Sequence, residues 1–167
     1  MSRAAVFFLA LLCPIWPARA AAANPSPVYG SIHPQLRLSS VPVLLPMPLP
    51  QAIGPIRSVA VISAGRAGYY VGFSPVTHCG GALSCAFFHV AGFPGTTRID
   101  RSYRDRPVRL PDGTRGFFRP EDCSGASCTE ASLIFERYGA VYELDAKPAR
   151  NSLRVIESAY GYLRILH

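Results

Sequence analysis

The sequence lacks the short motifs that mark the commonest reaction centres. There is no G-x-S-x-G elbow, no P-loop, no G-x-G-x-x-G after a strand and no H-E-x-x-H. These absences remove the hydrolase elbow, the phosphate cradle, the dinucleotide fold and the zincin helix as starting points. "GFPGTT" carries glycines but not the lysine a P-loop needs. Lysine is almost missing altogether: Lys147 is the only one, so arginine carries nearly all the positive charge. Arginine is the better bidentate partner for carboxylate and phosphate. No cysteine pair has the C-x-x-C spacing that lowers a thiol pKa in thioredoxin-like proteins. Beyond the first residues no apolar run is long enough to span a bilayer, so no stable membrane span is expected after processing. The residues indicate no metal and no cofactor.

What is present begins with "MSRAAVFFLALLCPIWPARAAAA". Arg3 supplies a positive start, residues 4–15 an apolar stretch too short to stay in a membrane, and Ala18-Arg19-Ala20 a cleavage pattern. Residues 1–23 therefore read as a signal peptide. Cys13 does not fit a lipidation site, because Leu12 precedes it and Pro14 follows. Export places the mature protein in the periplasm or outside the cell, where cysteines oxidise. The net charge of +7 drops to +5 once Arg3 and Arg19 are removed, an excess that bears on partners and not on fold.

Residues 24–38 read as a flexible leader, and 39–167 as one α+β domain. "VPVLLPMPLP" cannot be helical or join a central strand, since proline recurs at 42, 46, 48 and 50. Its apolar side chains predict an extended segment laid against the domain. Short strands follow: "SVAVISA", "GYYVGFS" and "CAFFHVAGF". "RPVRLPDGTRGFF" predicts a hairpin turning at Asp112-Gly113, with Val108 and Leu110 on one face. "SLIFERYGAVYELDA" predicts a second, turning near Tyr138-Gly139. From Asn151, Leu153, Ile156, Tyr160 and Leu163 recur at helical spacing; "YLRILH" has an extended alternative. The expected architecture is an antiparallel sheet with one C-terminal helix, stapled by local disulfides.

Four of the five cysteines bracket two similar stretches, "CGGALSC" and "CSGASC". Each follows a Gly-aromatic-aromatic strand and precedes another strand, as a duplicated strand-loop-strand unit would; chance produces short matches of this kind too. Local pairing, Cys79 with Cys85 and Cys123 with Cys128, is expected, because the glycines let each loop turn back on itself. A metal cluster of His78, Cys79, Cys85 and His89 is the rival. The first cysteine spacing exceeds the usual knuckle, and export favours oxidation.

Two surface features suggest binding. Arg98, Arg101, Arg104, Arg106, Arg109, Arg115 and Arg119 crowd one stretch, partly offset by Asp100, Asp105 and Asp112. Nucleic acid, an anionic envelope polymer or an acidic protein would suit them; the plain alternative is a solvated arginine-rich loop with internal ion pairs. The pairs Tyr69-Tyr70, Phe87-Phe88 and Phe117-Phe118 send aromatic rings to both sheet faces. One helix covers one face; the proline-rich segment is the expected cover of the other. Glu121 and Asp122 are adjacent acids, which point apart more readily than they cooperate, and they read as a solvated turn.

The segments "VPVLLPMPLP", "CGGALSCAFFHVAGF" and "LPDGTRGFFRPEDCSGASCTEASLIFERYGAVYEL" resemble uncharacterised exported bacterial proteins with paired C-x-G-A-type cysteine segments. The resemblance covers nearly the whole mature chain. It implies export and a single domain, and it carries no catalytic residues over. The expected function is therefore that of a non-catalytic envelope or secreted domain, binding an anionic or aromatic-stacking ligand. The alternative is a secreted hydrolase whose acid/base residues are brought together by the fold.

Overall fold

The computed structural model describes residues 27–78, 83–95, 106–124, 127–147 and 152–166. Its centre is an antiparallel sheet of seven strands: β2 (Ser58–Gly65), β3 (Gly68–Ser74), β4 (Phe88–Pro94), β5 (Pro107–Arg109), β6 (Arg115–Arg119), β7 (Ala131–Arg137) and β8 (Ala140–Ala146). They lie in the order β2-β3-β4-β8-β7-β6-β5. A short helix α1 (His33–Leu36) and strand β1 (Leu44–Pro46) precede the sheet in the chain. Helix α2 (Ser152–Gly161) and strand β9 (Leu163–Ile165) follow it. The α+β expectation holds. Among the described residues no helix is long and apolar enough to cross a membrane.

Both expected hairpins form. Leu110 accepts from the Gly113 amide across the Asp112-Gly113 turn, and Leu110 is buried. Tyr138 and Gly139 both take positive φ, 51° and 70°, the two-residue turn whose twist matches the strands it joins. Strand β5 is a short edge carrying Pro107 and exposed Arg109, which discourages pairing with another chain.

The hydrophobic core lies on one face of the sheet. Tyr69, Val71, Phe73, Phe88, Val90, Leu133, Phe135, Tyr142 and Leu144 alternate along β3, β4, β7 and β8 and are buried there. The proline-rich segment packs into this cluster through Val41, Val43, Leu44, Leu45 and Met47, and β1 pairs with β9 over three residues. An extended apolar segment brings in backbone groups that need partners. Tyrosines supply several of them. The Tyr69 hydroxyl donates to the Leu44 carbonyl at 3.0 Å and accepts from the Leu44 amide at 2.9 Å. The Tyr29 and Tyr142 hydroxyls donate to the carbonyls of Pro46 and Pro42, at 2.6 and 2.9 Å. Gly92 makes this possible, because a Cβ there would lie 2.4 Å from the Tyr69 ring.

Three expectations need correction. Residues 24–38 are not a loose leader throughout: Tyr29, Ile32 and Leu36 are 1–3 % exposed in the core. Their apolar side chains are spaced widely among prolines and polar residues, so no run marks them. The helix uses the expected face only in part, through Ile156 and Tyr160. Leu153 is exposed and Leu163 belongs to β9; Val155, Ile156, Ala159 and Tyr160 face the sheet. Finally, the proline-rich segment does not cover the second face. It shares the first with α2, because β1 pairs with β9 directly after that helix.

Candidate functional site

The second face of the sheet carries the polar residues that alternate with the core. Register fixes how they line up. His89 of β4 stands opposite Asp145 of β8, Asp145 opposite Ser132 of β7, and Ser132 opposite Arg119 of β6. Four adjacent strands thus place His89, Asp145, Ser132 and Arg119 in one row. Glu143, two residues before Asp145, and Glu130, two before Ser132, extend the same face.

The row is buried where it crosses the sheet centre. His89 and Ser132 are 1 % exposed and Asp145 is 8 % exposed. Ser132 Oγ donates to Asp145 Oδ1 at 2.5 Å, and Arg119 Nη2 donates to Ser132 Oγ at 3.3 Å. His89 Nδ1 lies 3.2 Å from Glu130 Oε2. Its ring stacks beside Tyr70, with centroids 5.2 Å apart. His89 Nε2 is buried and has no hydrogen-bond partner among the described residues.

Electrostatics follow from this crowding. Burial, and after it the neighbouring Glu143 carboxylate, pushes the Asp145 carboxyl up to about 7. The Ser132 hydrogen bond opposes that shift, Glu130 adds to it, and Arg119 relieves part of it. Burial also pushes the Tyr70 hydroxyl up, helped by Asp145, Glu130 and Glu143. Carboxylates in a half-dry site disfavour one another's charge, and Asp145, the most buried of them, carries the upward shift.

Cys85 and Cys128 lie on the approaches to the strands that carry this row. Strands β4 and β7 are both antiparallel to β8, so both start where β8 ends, and Phe88 and Ala131 both pair with Ala146. Cys85 precedes His89 by four residues, and Cys128 precedes Glu130 by two. Cys123 and Cys128 form a disulfide with Cα atoms 4.1 Å apart. Cys85 is also disulfide-bonded; Cys79 lies outside the described residues. The two bracketed units share connectivity, each joining antiparallel neighbours on one flank of β8. They bury opposite faces, however. Tyr69 enters the main core, whereas its counterpart Phe117 packs on Ile134 and Val141 across the sheet.

The remaining sequence candidates disperse. Arg98, Arg101 and Arg104 lie outside the described residues. Arg106, Arg109 and Arg115 are exposed along β5 and β6, and the Arg115 guanidinium sits 5.2 Å from the Phe117 ring centroid. Arg119 departs from them, half-buried at the end of the polar row. His78 is an exposed loop residue, and His89 joins the two acids rather than His78. Glu121 and Asp122 do diverge: Glu121 accepts from the Ser152 hydroxyl, which holds its carboxyl low, while exposed Asp122 caps the Ser124 amide.

Sequence reasoning missed Glu130, Ser132, Glu143 and Asp145 as a group. No motif links residues that meet only through strand register. The available signal was a polar residue inside each of three apolar strands: "FHVAGF", "ASLIFER" and "VYELDA". Comparison of the chain with protein-family models, with curated proteins and with solved structures finds no match.

Proposed function

We propose that the chain is an exported, non-catalytic domain that binds an anionic ligand along the β5–β6 edge of its second sheet face. One observation carries this reading. The proline-rich segment and α2 both pack on the first face, and the edge of the second presents exposed Arg109 and Arg115 with half-buried Phe117. Arginine beside an aromatic ring offers both a charged fork and a stacking surface. The opening residues of the chain and its oxidised cysteines support export to an oxidising compartment, in keeping with the resemblance to exported bacterial proteins.

Retention of the mature protein on a polyanionic heparin resin tests the binding claim. Replacing Arg106, Arg109 and Arg115 by Ser together is expected to lower the elution salt. It should also flatten the log-log salt dependence by about one unit per arginine. Retention that these replacements leave unchanged would sink the reading. Within the same proposal, Cys79 pairs with Cys85. Non-reducing peptide mapping should recover that local link alongside Cys123–Cys128, and a cross-link between the two brackets would contradict it.

A secreted hydrolase is the second reading. The convergence of His89, Glu130 and Asp145 favours it, since a carboxyl that keeps its proton near neutral pH can act as a general acid.

A further inference from the structure

We propose that an imidazole nitrogen of His89 and one carboxylate oxygen each from Glu130 and Asp145 form a divalent-cation site. The three donor atoms lie within 4.8 Å of one another. They are carried by neighbouring central strands, β4 and β8, and by the residue leading into β7, all tied by the sheet ladder. Burial separates this group from an ordinary surface cluster of acids. His89 is 1 % exposed and Asp145 8 % exposed. A carboxylate taken from water needs compensation. Asp145 receives one hydrogen bond from Ser132, with Arg119 behind it, while Glu130 and Glu143 add charge of its own sign.

His89 supplies the independent observation. Its side chain is 1 % exposed, and its Nδ1 lies 3.2 Å from the Glu130 carboxylate oxygen, a separation that two ligand atoms of one ion can take. An ion shared with Glu130 would take the place of the proton between them, which makes Nδ1 the imidazole ligand. Ser132 would act from outside the ligand set. It holds Oδ1 of Asp145 and leaves the second oxygen to the ion. One imidazole with two carboxylates suits a first-row divalent ion such as Zn2+ or Mn2+, and three protein ligands leave a position for water. This site is separate from the arginine edge, so the heparin result stands or falls without it.

Isothermal titration of zinc chloride into the oxidised, chelator-treated mature protein tests the proposal. One ion per chain is expected. Glu130→Gln and Asp145→Asn should each weaken binding at least about tenfold, and Ser132→Ala by a smaller factor. Glu130 is the decisive position, because its side chain is 30 % exposed and can be exchanged without opening the core; circular dichroism checks that this variant stays folded. Absence of one-to-one binding would overturn the proposal. So would zinc binding that Glu130→Gln leaves unchanged, which would assign the ion to surface groups such as His78.

Discussion

Asparagine in place of Asp145 is expected to abolish a loss of stability that the unsubstituted domain suffers as pH rises. The Asp145 carboxyl sits at about 7 in the folded protein, against 3.8 for an ordinary aspartate. Between those values the folded state holds a proton that the unfolded state has released. Stability therefore falls with rising pH across that window, and the cost is complete above the folded value. For one such group the fall between about pH 5 and pH 8 is on the order of 2–3 kcal/mol. After burial, Glu143 on its own strand and Glu130 ahead of β7 push the carboxyl up, while the Ser132 hydrogen bond from β7 and Arg119 of β6 pull it down; His89 of β4 stands opposite it across the ladder. Asparagine keeps a carbonyl for the Ser132 hydroxyl and cannot ionise. Urea unfolding of both proteins with chelator present should show the variant gaining on its parent as pH rises. Parallel pH profiles would contradict the prediction.

Phe135→Ala should be the most damaging single truncation on β7. Phe135 is fully buried, stacks 5.6 Å from the Tyr142 ring and meets the Tyr160 ring edge-on at 5.0 Å. It therefore joins the central strands to α2. Removing it leaves a cavity that these large, hydrogen-bonded rings cannot close, at a cost of about 3–5 kcal/mol. Tyr160 would lose its packing support while its hydroxyl stays tied to Asp112 at 2.7 Å. Phe117→Ala is the control, because Phe117 is half-buried on a small cluster on the other face. It should cost about 1 kcal/mol, since only part of that ring leaves water on folding. Equal losses for the two variants in urea unfolding would mean that the two faces are not as unequal as described.

Local chemistry was legible in the sequence. Asp112-Gly113 and Tyr138-Gly139 announced their turns through Gly113 and Gly139, which take φ of 84° and 70°; Tyr138 at 51° is not a residue that such a turn calls for. The extended proline-rich segment was legible because proline excludes the alternatives. Its location was not, since which face it covers depends on β1 pairing with β9, far apart in the chain. The same limit hid the polar row. His89 and Asp145 are each unremarkable in sequence, and only the β4–β8 register makes them neighbours. The cysteine brackets fall between these cases. Their oxidation could be expected from composition, but not their position around the end of the sheet where that row lies.

The second face holds a built, partly dry row of polar groups rather than a solvated surface. A carbon-13 NMR titration of the Asp145 side-chain carboxyl, with chelator present, tests it most directly. A midpoint near 7 is expected. A midpoint near 4, the ordinary aspartate value, would contradict it.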